Sequence, residues 1–255
     1  MALTTIAERG CALAVVGCVL LSGCTTVTAG TAQPAEGLPL GPLTGTELRD
    51  VLPTETQLAD ILGDRLGPSP NVPEASGGLS DMADGLSSDA EASPHNCVGA
   101  TSPLQRSIYQ DTGLTDFASF RWKLPDSESG DVIGATTGAV AFPDAAEANN
   151  AFEAFVEQWQ GCDGTVVEMP VEDGDYYTDE ITNVRVENSV LSADIATARH
   201  PDSIGWPRVR AIGVRANCLI EVDVSFLGGD APPPGLDDAA IELADFVMNR
   251  ITEVG

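Results

Sequence analysis

The chain has 255 residues, 43% of them hydrophobic, which is enough for one domain with a hydrophobic core. Its formal net charge at pH 7 is −27, from 12 basic and 39 acidic residues, and Lys123 is the only lysine. Such a surface repels nucleic acids and anionic lipid headgroups, so we expect no binding to DNA or RNA, and any membrane contact has to come from a covalently attached lipid.

The N-terminal segment has the features of an export signal. Residues 12–21, ALAVVGCVLL, are apolar but too few to span a bilayer, and their length suits the core of a signal peptide. The residues LSGC at 21–24 resemble the bacterial lipobox, whose cysteine receives a diacylglycerol and becomes the N-terminus after cleavage. We therefore predict a lipoprotein signal peptide over residues 1–23 and lipid attachment at Cys24. The alternatives are an ordinary secretory signal and a buried helix with an incidental cysteine.

The next segment lacks the pattern of a folded element. Residues 24–46 contain small residues, threonine, glycine and proline, with no period that could bury one face, so we expect a flexible tether. One folded domain is expected over residues 47–253. Three cysteines remain in the exported part, Cys97, Cys162 and Cys218, and outside the cytoplasm two of the three are expected to pair.

The folded part opens with a predicted helix and a long loop. In LPTETQLADILGD, residues 52–64, Thr54 suits a helix cap, Gln57 lies three positions later, and Gly63 suits the helix end. The following residues, 67–94, are rich in Gly, Pro, Ser and Asp and predict a loop with one helical turn around Met82.

Two strands and a long helix follow. The alternation of FASFRWKL, residues 117–124, predicts a half-buried strand, and residues 135–142 predict a second. A helix then runs from its cap Asp144 to Cys162, with Trp159 on an apolar face that favours core packing over a binding site. Another strand is expected directly after it.

The acidic segment EDGDYYTDE, residues 172–180, is predicted to be a loop. Its carboxylates lack the alternating spacing and the turn glycine of an EF-hand loop, so we expect solvated side chains rather than a metal site. Beyond it, the weak alternation of residues 189–198 predicts a further strand.

Residues 205–226, GWPRVRAIGVRANCLIEVDVSF, predict a hairpin. A two-residue turn at residues 216–217 places Arg210 opposite Asp223, and both faces then agree in polarity across the two strands. The alternation predicts one buried face that includes Cys218, and it makes Arg210 and Asp223 a surface ion pair of little energetic weight.

The chain closes with a predicted helix over residues 236–251, which begins with two aspartates and presents one apolar face. Strand pairs interleaved with three helices, without glycine-rich phosphate loops or regular βαβ alternation, indicate an α+β domain. We expect a mainly antiparallel sheet with helices packed on one side.

Two stretches also resemble a known family. They are FPDAAEA with the following W-x-x-C, which ends at Cys162, and the hairpin that starts at Trp206 and ends with VDV at residues 222–224. The chain resembles, over about residues 47–253, the extracytoplasmic sensor domain of the mycobacterial receptor kinase PknH and lipoproteins that contain this domain alone.

The resemblance implies a single α+β domain with a twisted antiparallel sheet, flanking helices and an open cleft for an unidentified ligand. It implies a disulfide between Cys97 and Cys162, whose loop closure contributes on the order of 4 kcal/mol, and it leaves Cys218 free. The resemblance does not extend to kinase activity, because the chain contains no kinase glycine loop and no HRD-like or DFG-like element.

These observations favour a lipid-anchored binding or sensory lipoprotein on the extracytoplasmic side of the cell membrane, without a cofactor. The expected partner is a small ligand or an envelope protein, and Arg208 and Arg210 are candidates for an exposed site that receives an anionic group. The alternatives are a cell-wall protein-interaction module and an envelope hydrolase. Since neither His95 nor His200 lies in a catalytic motif, we expect no enzyme.

Overall fold

The computed structural model describes residues 42–171, 175–200, 204–229 and 231–254. They form one antiparallel sheet with helices on both faces. The lipobox and Cys24 lie outside the described residues, so the predicted lipid attachment stays a prediction.

Two helices begin the domain, α1 (Thr46–Asp50) and α2 (Glu55–Leu62). The predicted capping of α2 is confirmed, because the Gln57 amide donates to the Thr54 hydroxyl at 3.4 Å and the Thr54 amide donates to the Gln57 side chain at 2.9 Å. Gly63 ends the helix with φ of 77°, a left-handed conformation that suits glycine.

The predicted loop at residues 67–94 contains more structure than its composition indicates. It contributes two short strands, β1 (Gly67–Pro68) and β2 (Ala75–Gly77), which both pair with β3 (Asp116–Lys123). The helical turn expected around Met82 is a 3-10 turn at residues 79–81. Two short helices then precede β3: α3 (Val98–Thr101) and α4 (Arg106–Tyr109).

The remaining elements follow a simple order. The strands are β4 (Val132–Ala141), β5 (Val166–Pro170), β6 (Tyr176–Glu187), β7 (Val190–His200), β8 (Ile204–Arg215) and β9 (Cys218–Phe226). Helix α5 (Ala145–Cys162) lies between β4 and β5, and α6 (Ala239–Val254) follows β9. The spatial order of the sheet is β1-β3-β4-β9-β8-β7-β6-β5, with β2 beside β3.

The helices cover both faces of the sheet, so the expectation of helices on one side is wrong. Apolar residues of α6 pack with Ile220 and Val222 of β9, together with α1 and α2. On the opposite face, Phe152, Phe155 and Trp159 of α5 pack with alternate strand residues such as Leu219. Each of the two cores therefore uses one side of the pleat.

Strand β6 replaces half of the predicted acidic loop. Its pairing with β7 begins at Tyr176 and His200, and Asp179 within it is buried. The composition misled the prediction because acidic residues are uncommon in strands, and this aspartate is buried only because an arginine from another strand pairs with it.

The hairpin register is confirmed, but its polarity is not. Arg210 lies opposite Asp223 and Arg215 opposite Cys218, which leaves a two-residue turn with Ala216 at φ of 51°. The prediction of one buried face is wrong, because Arg210 and Glu221 on the other face are buried under α5.

The disulfide between Cys97 and Cys162 is present, and Cys218 is a buried free thiol. The bridge joins the turn before α3 to the last residue of α5. At the opposite end of the sheet, the Leu43 amide donates to the Asn217 side chain at 2.9 Å, and the Asn217 amide group donates to the Leu43 and Phe142 carbonyls at 3.1 and 2.8 Å. The first described residues are thereby fixed beside the turn between β8 and β9.

Candidate functional site

A groove of about 340 Å³ crosses the α5 face of the sheet, beyond the end of α3. Seven strands, β3 to β9, contribute residues to its lining. The groove is lined by Ser102, Pro103, Arg121, Trp122, Gly134, Ala135, Thr136, Met169, Tyr177, Asp179, Thr197, Trp206, Arg208, Asp223 and Ser225. Its volume is within the range of small-molecule sites, and it mixes aromatic and polar groups as such sites do.

Arg208 forms the centre of the groove floor, and its donors are used within the domain. The Asp223 carboxylate accepts from Nε at 3.4 Å and from Nη2 at 2.5 Å. Nη1 donates to Asp179 and to the Thr197 hydroxyl, each at 3.2 Å, and Nη2 also donates to the Thr101 carbonyl at the end of α3. A guanidinium has five N–H groups, so this set leaves no donor for a ligand.

A second arginine lies deeper under the same floor. The Arg210 side chain is 0% exposed, donates to Glu221 at 2.5 Å and to the Gly99 carbonyl at 3.3 Å, and lies 5.1 Å from the centre of the Trp159 ring. The Glu221 carboxylate also accepts from the Tyr109 hydroxyl at 2.5 Å. The two arginines thus connect β8 and β9 to α3, α4 and α5.

Burial changes the acid–base properties of this network. Loss of solvation raises the pKa of the Glu221 carboxyl, although Arg210 and Tyr109 oppose this shift. The pKa of Tyr109 is raised by burial and by the Glu221 charge, so its hydroxyl stays a donor. Burial alone lowers the pKa of the Arg208 guanidinium, but Asp223 and Asp179 more than offset this effect and raise it.

The expectation of an exposed pair at Arg208 and Arg210 is therefore wrong. Arg208 lines the groove but is 13% exposed and fully hydrogen-bonded, and Arg210 lies beneath it. The hairpin alternation could not show this, because the carboxylates and carbonyls that the two arginines contact come from β6, β9 and α3. Both residues hold the groove together rather than present a free positive charge.

Three other lining residues were not foreseen. Trp206 and Tyr177 lie edge to face, with ring centres 6.0 Å apart, and Arg121 on β3 is exposed on the same side of the sheet. The Arg121 position follows the strand alternation in FASFRWKL, which places it on the face opposite Trp122. The sequence therefore indicated the face of the strand on which Arg121 lies. That this face lines a groove follows only from the order of the strands.

The acidic groups of the groove do not form an acid–base pair. Asp179 accepts from the Thr197 hydroxyl at 2.6 Å as well as from Arg208, and Asp223 shares that same guanidinium. The histidines lie elsewhere: His95 contacts the Leu86 carbonyl, and His200 contacts Thr178 on the other side of the sheet. Among the described residues, no three His, Cys, Asp or Glu side chains converge as metal ligands would.

The helices within the described ranges lack the length and apolar character that a membrane crossing requires. No curated protein sequence matches the chain. Among solved structures, the extracellular domain of PknH from Mycobacterium tuberculosis aligns with a TM-score of 0.68 and 17% identity, over 84% of this chain and 98% of that one. At this identity, the match shows a shared fold.

An uncharacterized protein from Mycobacterium smegmatis aligns over 73% of this chain and 90% of its own, at 10% identity and a TM-score of 0.35, which is too low to indicate a common fold. The family model described as the PknH-like extracellular domain matches residues 43–250, nearly all of the part that the structure describes. The chain therefore belongs to the PknH-like extracellular domain family.

Proposed function

We propose that this protein is a lipid-anchored binding or sensory domain on the extracytoplasmic side of the cell membrane, and that the groove beside Arg208 is its ligand site. The observation that supports it best is a preformed groove, open to solvent, in a domain whose family is described as extracellular. The lipobox-like residues at 21–24 support the anchor, since the high negative charge disfavours direct contact with anionic lipid.

Binding without catalysis is the function that the groove chemistry supports. A hydrolase of the carboxylate type needs one acid and one base or nucleophile free to reach the substrate. Asp179 and Asp223 are both held by Arg208, and Thr197 or Ser225 adds a further bond to each. These contacts hold both carboxylates in place, so the groove floor can bind a ligand without reacting with it.

The ligand site is tested by filling the groove. Thr136 projects from β4 between Arg121 and Asp223, so Thr136→Trp should occupy the floor, whereas Thr182→Trp places the same side chain at an exposed position of β6 outside the groove. Each immobilised protein is exposed to small molecules extracted from the envelope of the producing cells, and the retained compounds are identified by mass spectrometry.

Wild type and Thr182→Trp should retain the same compounds, and Thr136→Trp should lose them while keeping a similar melting temperature. Identical retention by all three proteins would argue against the groove as the ligand site.

The anchor is tested by the intact mass of protein purified from membranes, compared with Cys24→Ala. We expect a diacylated N-terminal Cys24 in the wild type and an unlipidated variant that leaves the membrane fraction. A wild-type chain without added lipid would contradict the anchor but would leave the groove hypothesis standing.

A further inference from the structure

We propose that the groove binds an elongated molecule with one anionic group, which pairs with Arg121, and a flat ring, which packs on Trp206 and Tyr177. This inference rests on the proposed binding function and adds the chemistry of the ligand. Three properties of the groove determine which ligand fits: the groups that are free to contact it, the distance between these groups and the charge of the lining residues.

Arg121 supplies the free cation. Its side chain is exposed at the groove, and within the described ranges its guanidinium has neither a hydrogen bond nor an ion pair. Its cross-strand neighbour Thr136 is half-buried and uncharged. By contrast, Arg208 on the same floor has all its donors occupied. A guanidinium without a partner in a cleft matches the planar oxygens of a carboxylate or phosphate group.

The opposite part of the groove is aromatic. Trp206 and Tyr177 meet at an interplanar angle of 72°, both are partly exposed, and Met169 lies beside them in the lining. Arg199 lies over the Tyr177 ring at 5.9 Å and pairs with Asp175 at 2.6 Å, so that face of Tyr177 is already covered. An indole and a phenol ring at this angle offer apolar surface to a flat ring through stacked or edge contacts.

The distance between the two parts sets the shape of the ligand. Arg121 is on β3 and Trp206 on β8, three positions away in the order β3-β4-β9-β8, which is about 14 Å at the usual strand spacing. Register places Arg210 level with Arg121, and Trp206 lies four residues further along β8, about 13 Å. Because both side chains line the same groove, a ligand that contacts both has to be elongated, and a single ring is too short.

The walls limit the ligand to one negative charge. The charged lining residues are two arginines, Arg121 and Arg208, and two aspartates, Asp179 and Asp223, so their formal charges sum to zero. Asp223 on β9 lies between Arg121 and Trp206 in the strand order, Asp179 lies beside Tyr177 on β6, and the whole chain has a charge of −27. A second anionic group would meet these carboxylates without a free cation to balance it.

The inference is tested with three rigid probes that differ in one property each. Biphenyl-4-carboxylate has the ring, the length and the single charge; biphenyl-4-carboxamide lacks the charge, and benzoate lacks the length. Binding to the purified full chain is followed by nuclear magnetic resonance, from chemical-shift changes of backbone amides around the groove. The variants are Arg121→Gln, Trp206→Leu and, as a matched control, Arg215→Gln, an exposed arginine at the far end of β8.

Biphenyl-4-carboxylate should bind at least about fivefold more tightly than biphenyl-4-carboxamide, and at least about fivefold more tightly than benzoate. Arg121→Gln should remove the preference for the carboxylate, Trp206→Leu should weaken both biphenyl probes, and Arg215→Gln should change neither. Equal affinity for carboxylate and carboxamide, or an Arg121→Gln variant that keeps the preference, would overturn the inference. Shifts that map outside the groove would overturn it as well. The retention experiment with Thr136→Trp tests the binding function separately, so failure of the probes to bind as expected would leave the binding function standing.

Discussion

Arg210 is a charged side chain enclosed between α5 and the sheet, so its partners determine whether the domain tolerates its charge. Removing one member of a buried ion pair leaves the other uncompensated, which costs about 3–5 kcal/mol. Arg210→Met leaves Glu221 with only the Tyr109 and Leu104 donors. We expect a loss of this size in the free energy of unfolding measured by urea titration.

The matched control for Arg210→Met is Arg215→Met, because Arg215 belongs to the same strand and is exposed. This control should change the unfolding free energy by less than about 0.5 kcal/mol. Combining Arg210→Met with Glu221→Gln removes both charges and should recover part of the loss. If Arg210→Met were as mild as the control, the side chain could not be buried against Glu221 in solution.

Cys218 should be an unreactive thiol in the native protein. Burial raises the pKa of the Cys218 thiol to about 12, because the thiolate would lose its solvation. We expect no alkylation of Cys218 by iodoacetamide at pH 8 in the folded state and its alkylation in urea, with Cys97 and Cys162 protected by their bridge. The raised pKa stabilises the folded state at low and neutral pH, and this contribution is lost as pH rises from about 9 towards about 12. Rapid native alkylation would contradict the burial of the thiol.

The sequence could predict that Cys218 is buried but not that Arg210 is. An apolar side chain on an alternating strand needs only a covered face, whereas a buried arginine needs acceptors in fixed places. For Arg210 these acceptors are Glu221, two positions before Asp223 on β9, and the Gly99 carbonyl, more than a hundred residues away in sequence. Only the folded chain brings them together.

At the scale of single elements, helix α5 depends on its cap. The Asp144 carboxylate accepts from the amides of Ala146 and Glu147 at 2.8 and 3.0 Å, which satisfies two donors of the first turn. Asp144→Ala should cost about 1 kcal/mol in unfolding free energy, whereas Glu153→Ala on the exposed side of the same helix should be nearly neutral. Thermal unfolding followed by circular dichroism compares the two variants, and a neutral Asp144→Ala would show that the cap does not stabilise the helix.

Elements whose sequence signals lie within their own residues were predicted correctly. Elements whose place is set by pairing with neighbouring strands were not. The capping pattern and apolar period of α5 lie within its own residues, and so does the two-residue turn that fixes the register of β8 and β9. Strand β6 has no such signal, because Glu180 and Asp179 interrupt its apolar alternation. Its place in the sheet is set by pairing with β5 and β7 and by the Arg208 ion pair to Asp179.

At the scale of the whole molecule, one covalent bridge supports the groove. The disulfide fixes the turn before α3 to the end of α5, and the α3 carbonyls of Gly99 and Thr101 accept from the two buried arginines. Replacing Cys97 and Cys162 by serine should lower stability by about 4 kcal/mol, or roughly 8 to 16 °C in melting temperature. Differential scanning calorimetry measures this directly. A decrease below about 2 °C would mean that the bridge adds little to the packing around it.

The groove itself could not be predicted from the sequence, because it depends on strand order. Arg121 and Trp206 are far apart in sequence, and they face one cavity only because β9 inserts between β4 and β8. Of the residues predicted for the site, Arg208 lines the groove and Arg210 supports it from below. The family resemblance predicted a cleft, and the strand order shows which side chains line it.

The fixing of Leu43 beside Asn217 also determines from which direction the domain is held. Arg208 lies nine residues along β8 from Asn217, about 30 Å, and the groove residues of the other strands lie towards that same far end. A lipid at Cys24, as proposed, would therefore attach to the domain through the end of the sheet opposite the groove, so that anchoring and ligand binding would use different ends of the domain.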